Sequence, residues 1–334
     1  KGISCTAQWS GCVPISKKGE PLRSCIIWMD SRGSQEIKNL NRGFLKLAGY
    51  SPWKLFHWIY KTGGAPSRSG KDTLAHILYI REQEPSIYQN THKFLEPKDY
   101  LNFKLTGLAA TSYDTSTLCW LTNSRNIHNM FYDPGLIRLT GIDRKKLPIM
   151  KPSTSILGKV TPEIASEFGI SKDTPVIVGS PDIQSAAIGS GIVKNYQANL
   201  YIGTSSWITC HVPYKKTSVE NNIASLPSAL PGKYLVCTEQ ETAGECLNYL
   251  KKILFTKETA SEDIFKQLEA IAQESPPGSQ NLIFTPWLNG ERTPVDNNKI
   301  RAGFHNVSLH HNRSDFVRAV YEGVAYNSKW LLKT

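Results

Sequence analysis

The sequence predicts a two-domain α/β protein, and three observations carry that prediction. First, 334 residues at roughly 150 per domain amount to about two domains. Second, short apolar runs of strand length alternate with segments of helical spacing along the chain. Third, the texture changes after residue 151. There Pro152, Gly158, Pro162 and Gly169 punctuate short segments that lead to a small-residue helix ending near 190. The predicted domains are therefore 1–190 and 191–334. A composition with 40% hydrophobic and 20% charged residues is that of an ordinary globular protein, and it excludes disorder, collagen and coiled coil.

The first thirty residues read as two strands, Gly2–Cys5 and Trp9–Ile15, followed by a turn at Lys18–Pro21. Cys25–Trp28 is a short apolar run, read as a strand that ends at Asp30. Ile37, Leu40, Phe44 and Leu45 then have helical spacing. Gly63–Ser67 is a loop, 70–82 a helix with Leu74, Ile77 and Leu78 on one stripe, and Lys98–Leu105 a helix stopped by Gly107. A polar segment, Ala110–Thr117, follows. Thr174–Gly179 is a continuous apolar run, as expected of a strand buried on both faces. The helix Ile183–Gly189 comes next. Ala198–Gly203 and Ser206–Val212 then form a hairpin around a Gly-Thr-Ser turn. Residues 244–254, 260–273 and 314–333 read as helices.

The formal charge is +11, which makes nucleic acid the first partner to test. The lysines come as scattered pairs, such as Lys17-Lys18 and Lys251-Lys252, and no finger, RNP or basic-zipper pattern occurs. The charge therefore reads as a solvated surface that draws anionic small ligands. Seven cysteines without a C-x-x-C pair read as reduced thiols. No run reaches the 18 apolar residues of a membrane span, and Lys1–Ser4 leads straight into polar sequence rather than a secretory signal. A cytoplasmic protein is expected. The eight histidines lack metal-ligand spacing, so no metal-ligating residues are assigned. Walker A, G-x-G-x-x-G and G-x-S-x-G motifs are absent.

Chemistry concentrates in three places. After the buried strand, Ser180 suits an N-cap, Pro181 the first helical position, and Asp182 the first turn. That puts the Asp182 carboxylate at the carboxyl end of a central strand, where ligands bind in open α/β sheets. Simple complementation of the helix dipole explains the same placement. Gly203-Thr204-Ser205 at the hairpin tip can expose backbone N–H groups to phosphate oxygens, or be a plain turn. A carboxylate and a phosphate-cradling turn are the parts that phosphoryl transfer to a hydroxyl requires. The third place, Trp287–Pro294 with Asp296 beyond it, is rich in polar residues, and a structural Glu291–Arg292 network accounts for it equally well.

Taken together, these strings resemble the FGGY carbohydrate kinases, and within them the xylulose-kinase group. The resemblance rests on Gly2-Ile3-Ser4 with Gln8, Ile27–Arg32, Pro97–Leu101 with Leu105–Gly107, Gly179–Asp182, Leu200–Ser205, Leu288–Pro294 and Arg301–Ala325, in that order. It implies a ribonuclease-H/actin-like pair of domains that bring ATP and sugar together. It also implies that Asp182 is the general base for a sugar hydroxyl, and that Gly203, Thr204 and Ser205 bind nucleotide phosphate. Gln8, Trp9, Ser10, Asp30 and Arg32 would contact the sugar beside Asp182. ATP and Mg2+ are the implied cofactors, and a small sugar or polyol, most simply D-xylulose, is the implied substrate. No nucleic acid or membrane partner is implied, and homodimerisation is left open.

Two departures bear on this. Many xylulose kinases have Met-His after the Gln, where this chain has Trp9-Ser10. The family's opening Asp-containing phosphate loop and its closing Gly-rich adenosine segment have no counterpart. Both domains are therefore expected to be incomplete, and the 334 residues alone to lack turnover. A non-catalytic sugar-binding relative is the alternative reading.

Overall fold

A computed structural model describes residues 1–47, 49–218, 221, 223–254, 263–295, 297 and 299–333. Asp296 and residues 260–262 of the predicted helix lie outside the described residues. The chain packs as two compact units. One holds Lys1–Gln197 with His211–Thr217 and Ala224–Leu235, and the other holds Ala198–Cys210, Ser218–Ile223 and Val236–Thr334.

In the first unit the predicted buried strand is Pro175–Ile177, and it is the middle strand of a three-stranded sheet. Ile3–Ser4 pairs with it in parallel, Ile3 opposite Val176, and Ile156–Lys159 pairs antiparallel on the other side. Neighbours on both edges and both faces explain the unbroken apolar run, with Val176 and Val178 fully buried. The chain then turns at Gly179, whose φ of +72° lies in the left-handed region. A Cβ there would come within 2.6 Å of the Cys5 carbonyl oxygen. Gly179→Ala is therefore expected to lower unfolding free energy by about 1–3 kcal/mol. Urea denaturation of this chain measures it, and an unchanged midpoint would show that the turn relaxes freely.

The core of this unit gathers Ile37, Trp58, Leu74, Ile77, Leu78, Leu121 and Leu136. The predicted helix 70–82 is Thr73–Gln83, buried along most of its length. The helix Pro97–Thr106 ends at Gly107, as its sequence indicates.

Several elements differ from the sequence reading, each for a local reason. Cys25–Trp28 is no strand: only Ile26 bridges to Cys12, and the Asp30 N–H closes a turn onto the Ile27 carbonyl. Phe44 and Leu45 lie beyond the helix Ser34–Leu40 and are exposed. The Asn41 amide donates to the Ile37 carbonyl at 3.0 Å, competing with the backbone at the point where the helix stops. A helix at Pro52–Thr62 was not expected; in it Leu55 and Trp58 are buried while Trp53, Phe56 and Tyr60 are exposed. The polar stretch contains a strand, Ala110–Ser112, and a 3-10 turn, Thr115–Cys119, both largely buried. Three of its hydroxyls find partners within the stretch: Ser112 and Thr115 oxygens are 2.6 Å apart, and Ser116 Oγ donates to Tyr113 O at 2.9 Å.

The second unit contains the hairpin Ala198–Ile202 against residues 206–210 of Ser206–Val212, in antiparallel register from Ala198–Cys210 to Ile202–Ser206. Its core is helical. Leu250 of Glu245–Leu254, Leu268 of Ile264–Glu274, and Val317 and Val320 of Arg313–Lys333 close over Phe284. In the two shorter helices, apolar residues four apart (Cys246 and Leu250; Ile264, Leu268 and Ala272) form the buried stripe.

Candidate active site

Asp182 opens the helix Asp182–Gly189 at the carboxyl end of the central strand. The N-cap is Pro181 rather than Ser180, so the helix starts one residue later than its composition suggests. Ser180 Oγ lies 2.8 Å from Ser185 Oγ instead of capping a backbone N–H. Asp182 itself is tied to the first segment of the chain. Its N–H donates to Ala7 O at 2.9 Å, and its Oδ1 accepts from Trp9 N at 3.2 Å and from Ile183 N at 2.9 Å. The residue is exposed. Desolvation by the surrounding chain nevertheless pushes its carboxyl above the ordinary aspartate value, against the two N–H donors.

The Gln8–Ser10 segment beside it is firmly built. Gln8 is half-buried, while Trp9 and Ser10 are buried. Trp9 Nε1 donates to Thr115 O at 3.0 Å, and Ser10 Oγ donates to Lys71 O at 2.9 Å, just ahead of the helix Thr73–Gln83. Asp30 and Arg32 meet that same helix. The Asp30 carbonyl lies 3.0 Å from His76 Nε2, and the Arg32 guanidinium sits 5.3 Å from the Tyr79 ring centroid. The two residues also pair with each other, Arg32 Nη2 to Asp30 Oδ2 at 2.6 Å, and the hydrogen bond from Arg32 holds the Asp30 carboxyl below its ordinary range. The structure thus brings Trp9 directly to Asp182, ties Ser10 to the chain just ahead of the helix Thr73–Gln83, and sets Asp30 and Arg32 against that helix.

Glu96 was not singled out from sequence. Buried at the start of Pro97–Thr106, it accepts from Gly11 N at 2.8 Å and from the Thr73 hydroxyl, so it clasps the Gln8–Ser10 segment to the helix. Burial pushes its carboxyl from 4.5 up to about 8. The folded protein therefore holds a proton there that the unfolded chain gives up once the pH passes about 4.5. This contribution to stability is full below that pH and is lost as pH rises towards about 8. The Glu96→Gln variant is expected to flatten the fall in stability between pH 5 and 8, as read by urea denaturation. An unchanged slope would mean that Glu96 is ionised in the fold.

In the second unit, Gly203, Thr204 and Ser205 form the hairpin tip. Gly203 N donates to Ser205 O at 2.8 Å. The Gly203 carbonyl accepts from Gly244 N at 2.7 Å, and the Thr204 carbonyl from Ala243 N at 2.9 Å. With those carbonyls turned inward, the negative ends of two peptides are withdrawn from the side where Thr204 is exposed, which suits an approaching phosphate. Gly244 permits this contact, since a Cβ there would meet Gly203 O at 2.4 Å.

The Trp287–Pro294 stretch is a network in its own unit. Arg292 reaches Glu241 at 2.6 Å and pairs with Glu239, while Glu291 accepts from Asn327 Nδ2 at 2.6 Å and from Glu241 N at 3.0 Å. Among the described residues no group of three or more His, Cys, Asp or Glu is arranged to hold a metal ion. Mg2+ commonly binds largely through substrate phosphates, so it needs no all-protein cage.

Residues 1–189 match the N-terminal domain of the FGGY family of carbohydrate kinases, and residues 198–334 match its C-terminal domain. A xylulose kinase of Staphylococcus epidermidis is 32% identical over 328 residues, covering 98% of this chain and 61% of that protein. A gluconokinase of Bacillus subtilis is 28% identical over 334 residues, covering 97% of this chain and 61% of the relative. The chain thus spans about three fifths of the length of these relatives. Among solved structures, xylulose kinase from Rhodospirillum rubrum aligns with a TM-score of 0.85 at 24% identity, covering 99% of this chain and 64% of that one. Such matches show the expected two-domain α/β kinase fold.

Proposed function

The chain belongs to the FGGY family of carbohydrate kinases, and on that footing we propose that the whole protein phosphorylates a small sugar or polyol with ATP. The observation that carries this is Asp182, an exposed carboxylate held by Trp9 N and Ile183 N through one oxygen, Oδ1. Its other oxygen, Oδ2, takes the proton of the substrate hydroxyl as the hydroxyl oxygen attacks the γ-phosphorus. The new O–P bond forms, the bridge to the β-phosphate breaks, and ADP leaves. Gln8, Trp9, Ser10, Asp30 and Arg32 form the sugar side, and Gly203–Ser205 receives nucleotide phosphate. Mg2+, carried on the phosphates, supplies charge neutralisation in such transfers. A net charge of +11 favours the arrival of ATP.

D-Xylulose is the first substrate to test, supported by the xylulose-kinase relatives, with gluconate second because gluconokinases align over the same span. The test is kcat/KM measured on the whole protein across ketoses, polyols and aldonates. A preference for a ketopentose supports the xylulose assignment, and a preference for gluconate replaces it. The pH profile tests Asp182. A base works only when deprotonated, and desolvation raises this one above 3.8, so the acid limb of kcat is expected above the pH where a free aspartate titrates. An acid limb at the free-aspartate position would contradict a desolvated base.

A further inference from the structure

The Pro97–Thr106 helix holds a buried charge cluster with no part in the chemistry described above, and it converges on the strand end that feeds Asp182. Lys98 is 1% exposed, and its Nζ donates to Val178 O at 2.9 Å and to Asp99 Oδ1 at 2.5 Å. Asn102, one helical turn on and fully buried, donates to the same Val178 carbonyl at 2.7 Å. Two side-chain donors on one carbonyl is a strong constraint. It falls on the residue immediately before Gly179, where the chain leaves the sheet and turns towards Asp182. The same stretch of chain, at Glu96, grips Gly11 N. Glu96, Lys98 and Asn102 thus hold both strands of chain that meet in the Trp9–Asp182 contact.

We propose that Lys98, with Asn102, is a positioning residue that sets Asp182 against the Gln8–Ser10 segment by fixing the Val178 carbonyl. The ammonium suits this task because it is held in turn. Asp99 and Asp114 are both fully buried and share its field. Burial pushes both carboxyls up, Asp114 to about 6, and Lys98 opposes that in each. A neutral donor could bond the carbonyl, but it would lack the ion pair that holds Lys98 to Asp99. The significance for turnover rests on the proposed role of Asp182, whereas the positioning itself does not.

Hydrogen exchange on this chain separates the two. Removing Lys98 alone would strand a buried carboxylate, so the variant is the double substitution Lys98→Met with Asp99→Leu, because buried ion pairs replaced by apolar residues often keep stability. The amides of Trp9 and Asp182 are expected to exchange at least tenfold faster, with Leu74 and Ile77 in the helix Thr73–Gln83 unchanged. Asn102→Leu removes one donor and no charge. It should show the same pattern at smaller amplitude, and it decides the matter if the double variant does not fold. Wild-type exchange at Trp9 and Asp182 in a folded variant overturns the proposal, as does uniform acceleration that includes Leu74 and Ile77. Asp182→Asn with normal turnover would remove the base role and leave the exchange result standing.

Discussion

Asp182→Asn in the whole protein is expected to lower kcat by about 10²–10⁴, the usual contribution of a positioned general base. The amide keeps the shape of the carboxylate, and its oxygen can still accept from Trp9 N and Ile183 N, the two donors that hold Oδ1. Fold and sugar contacts are therefore preserved, and what is lost is the ability to take a proton. A fall in kcat with little change in sugar KM is the expected pattern, measured by coupled ADP release. If Asp182 served only to complement the dipole of its helix, the loss would be confined to stability, a few tenths to about 1 kcal/mol. The two roles differ by orders of magnitude in the same assay.

Gly244→Ala carries the second large effect, from the other unit. The added Cβ would lie 2.4 Å from the Gly203 carbonyl oxygen, a backbone atom that cannot rotate away. To reach ordinary contact the hairpin tip must retreat by about 1 Å, and a misplacement of that size can cost about 10²-fold in rate. The loss should appear in kcat/KM for ATP, because Gly203-Thr204-Ser205 is the proposed phosphate turn. Sugar affinity should hold, since Trp9 and Asp182 belong to the first unit. Unchanged kinetics with varied ATP would release the turn from that role.

Much of this arrangement was legible in the sequence, and the reasons are physical. The strand before Asp182 announces itself because a strand covered on both faces must be continuously apolar, and Val176 and Val178 are fully buried. The hairpin follows from two alternating segments around Gly203-Thr204-Ser205. The supports of the site were not legible. Lys98, Asp99 and Asn102 are polar residues of a helix, yet all three are buried, because Lys98 and Asn102 reach a carbonyl some eighty residues away and Asp99 pairs with Lys98. Their only local signal is Lys98 and Asn102 four apart, on one helical face. Glu96 gave no signal of its own, since its donors, Gly11 and Thr73, are distant in sequence. Aromatic residues misled in the other direction. Phe44 fits a helical stripe but is exposed, and Trp53 and Phe56 are exposed on a helix whose Trp58 is buried. Pattern reading detects burial along one element, and it misses burial that depends on a second element arriving.

The most direct test is sugar-dependent ADP release by the whole protein, measured with ATP and Mg2+ in the presence and absence of D-xylulose and related polyols. ADP release that rises to saturation with sugar, and that collapses in Asp182→Asn, is the result expected here. Sugar that binds saturably while ADP release stays at its sugar-free level would contradict it, and would mark a sugar-binding relative that keeps the fold without the chemistry.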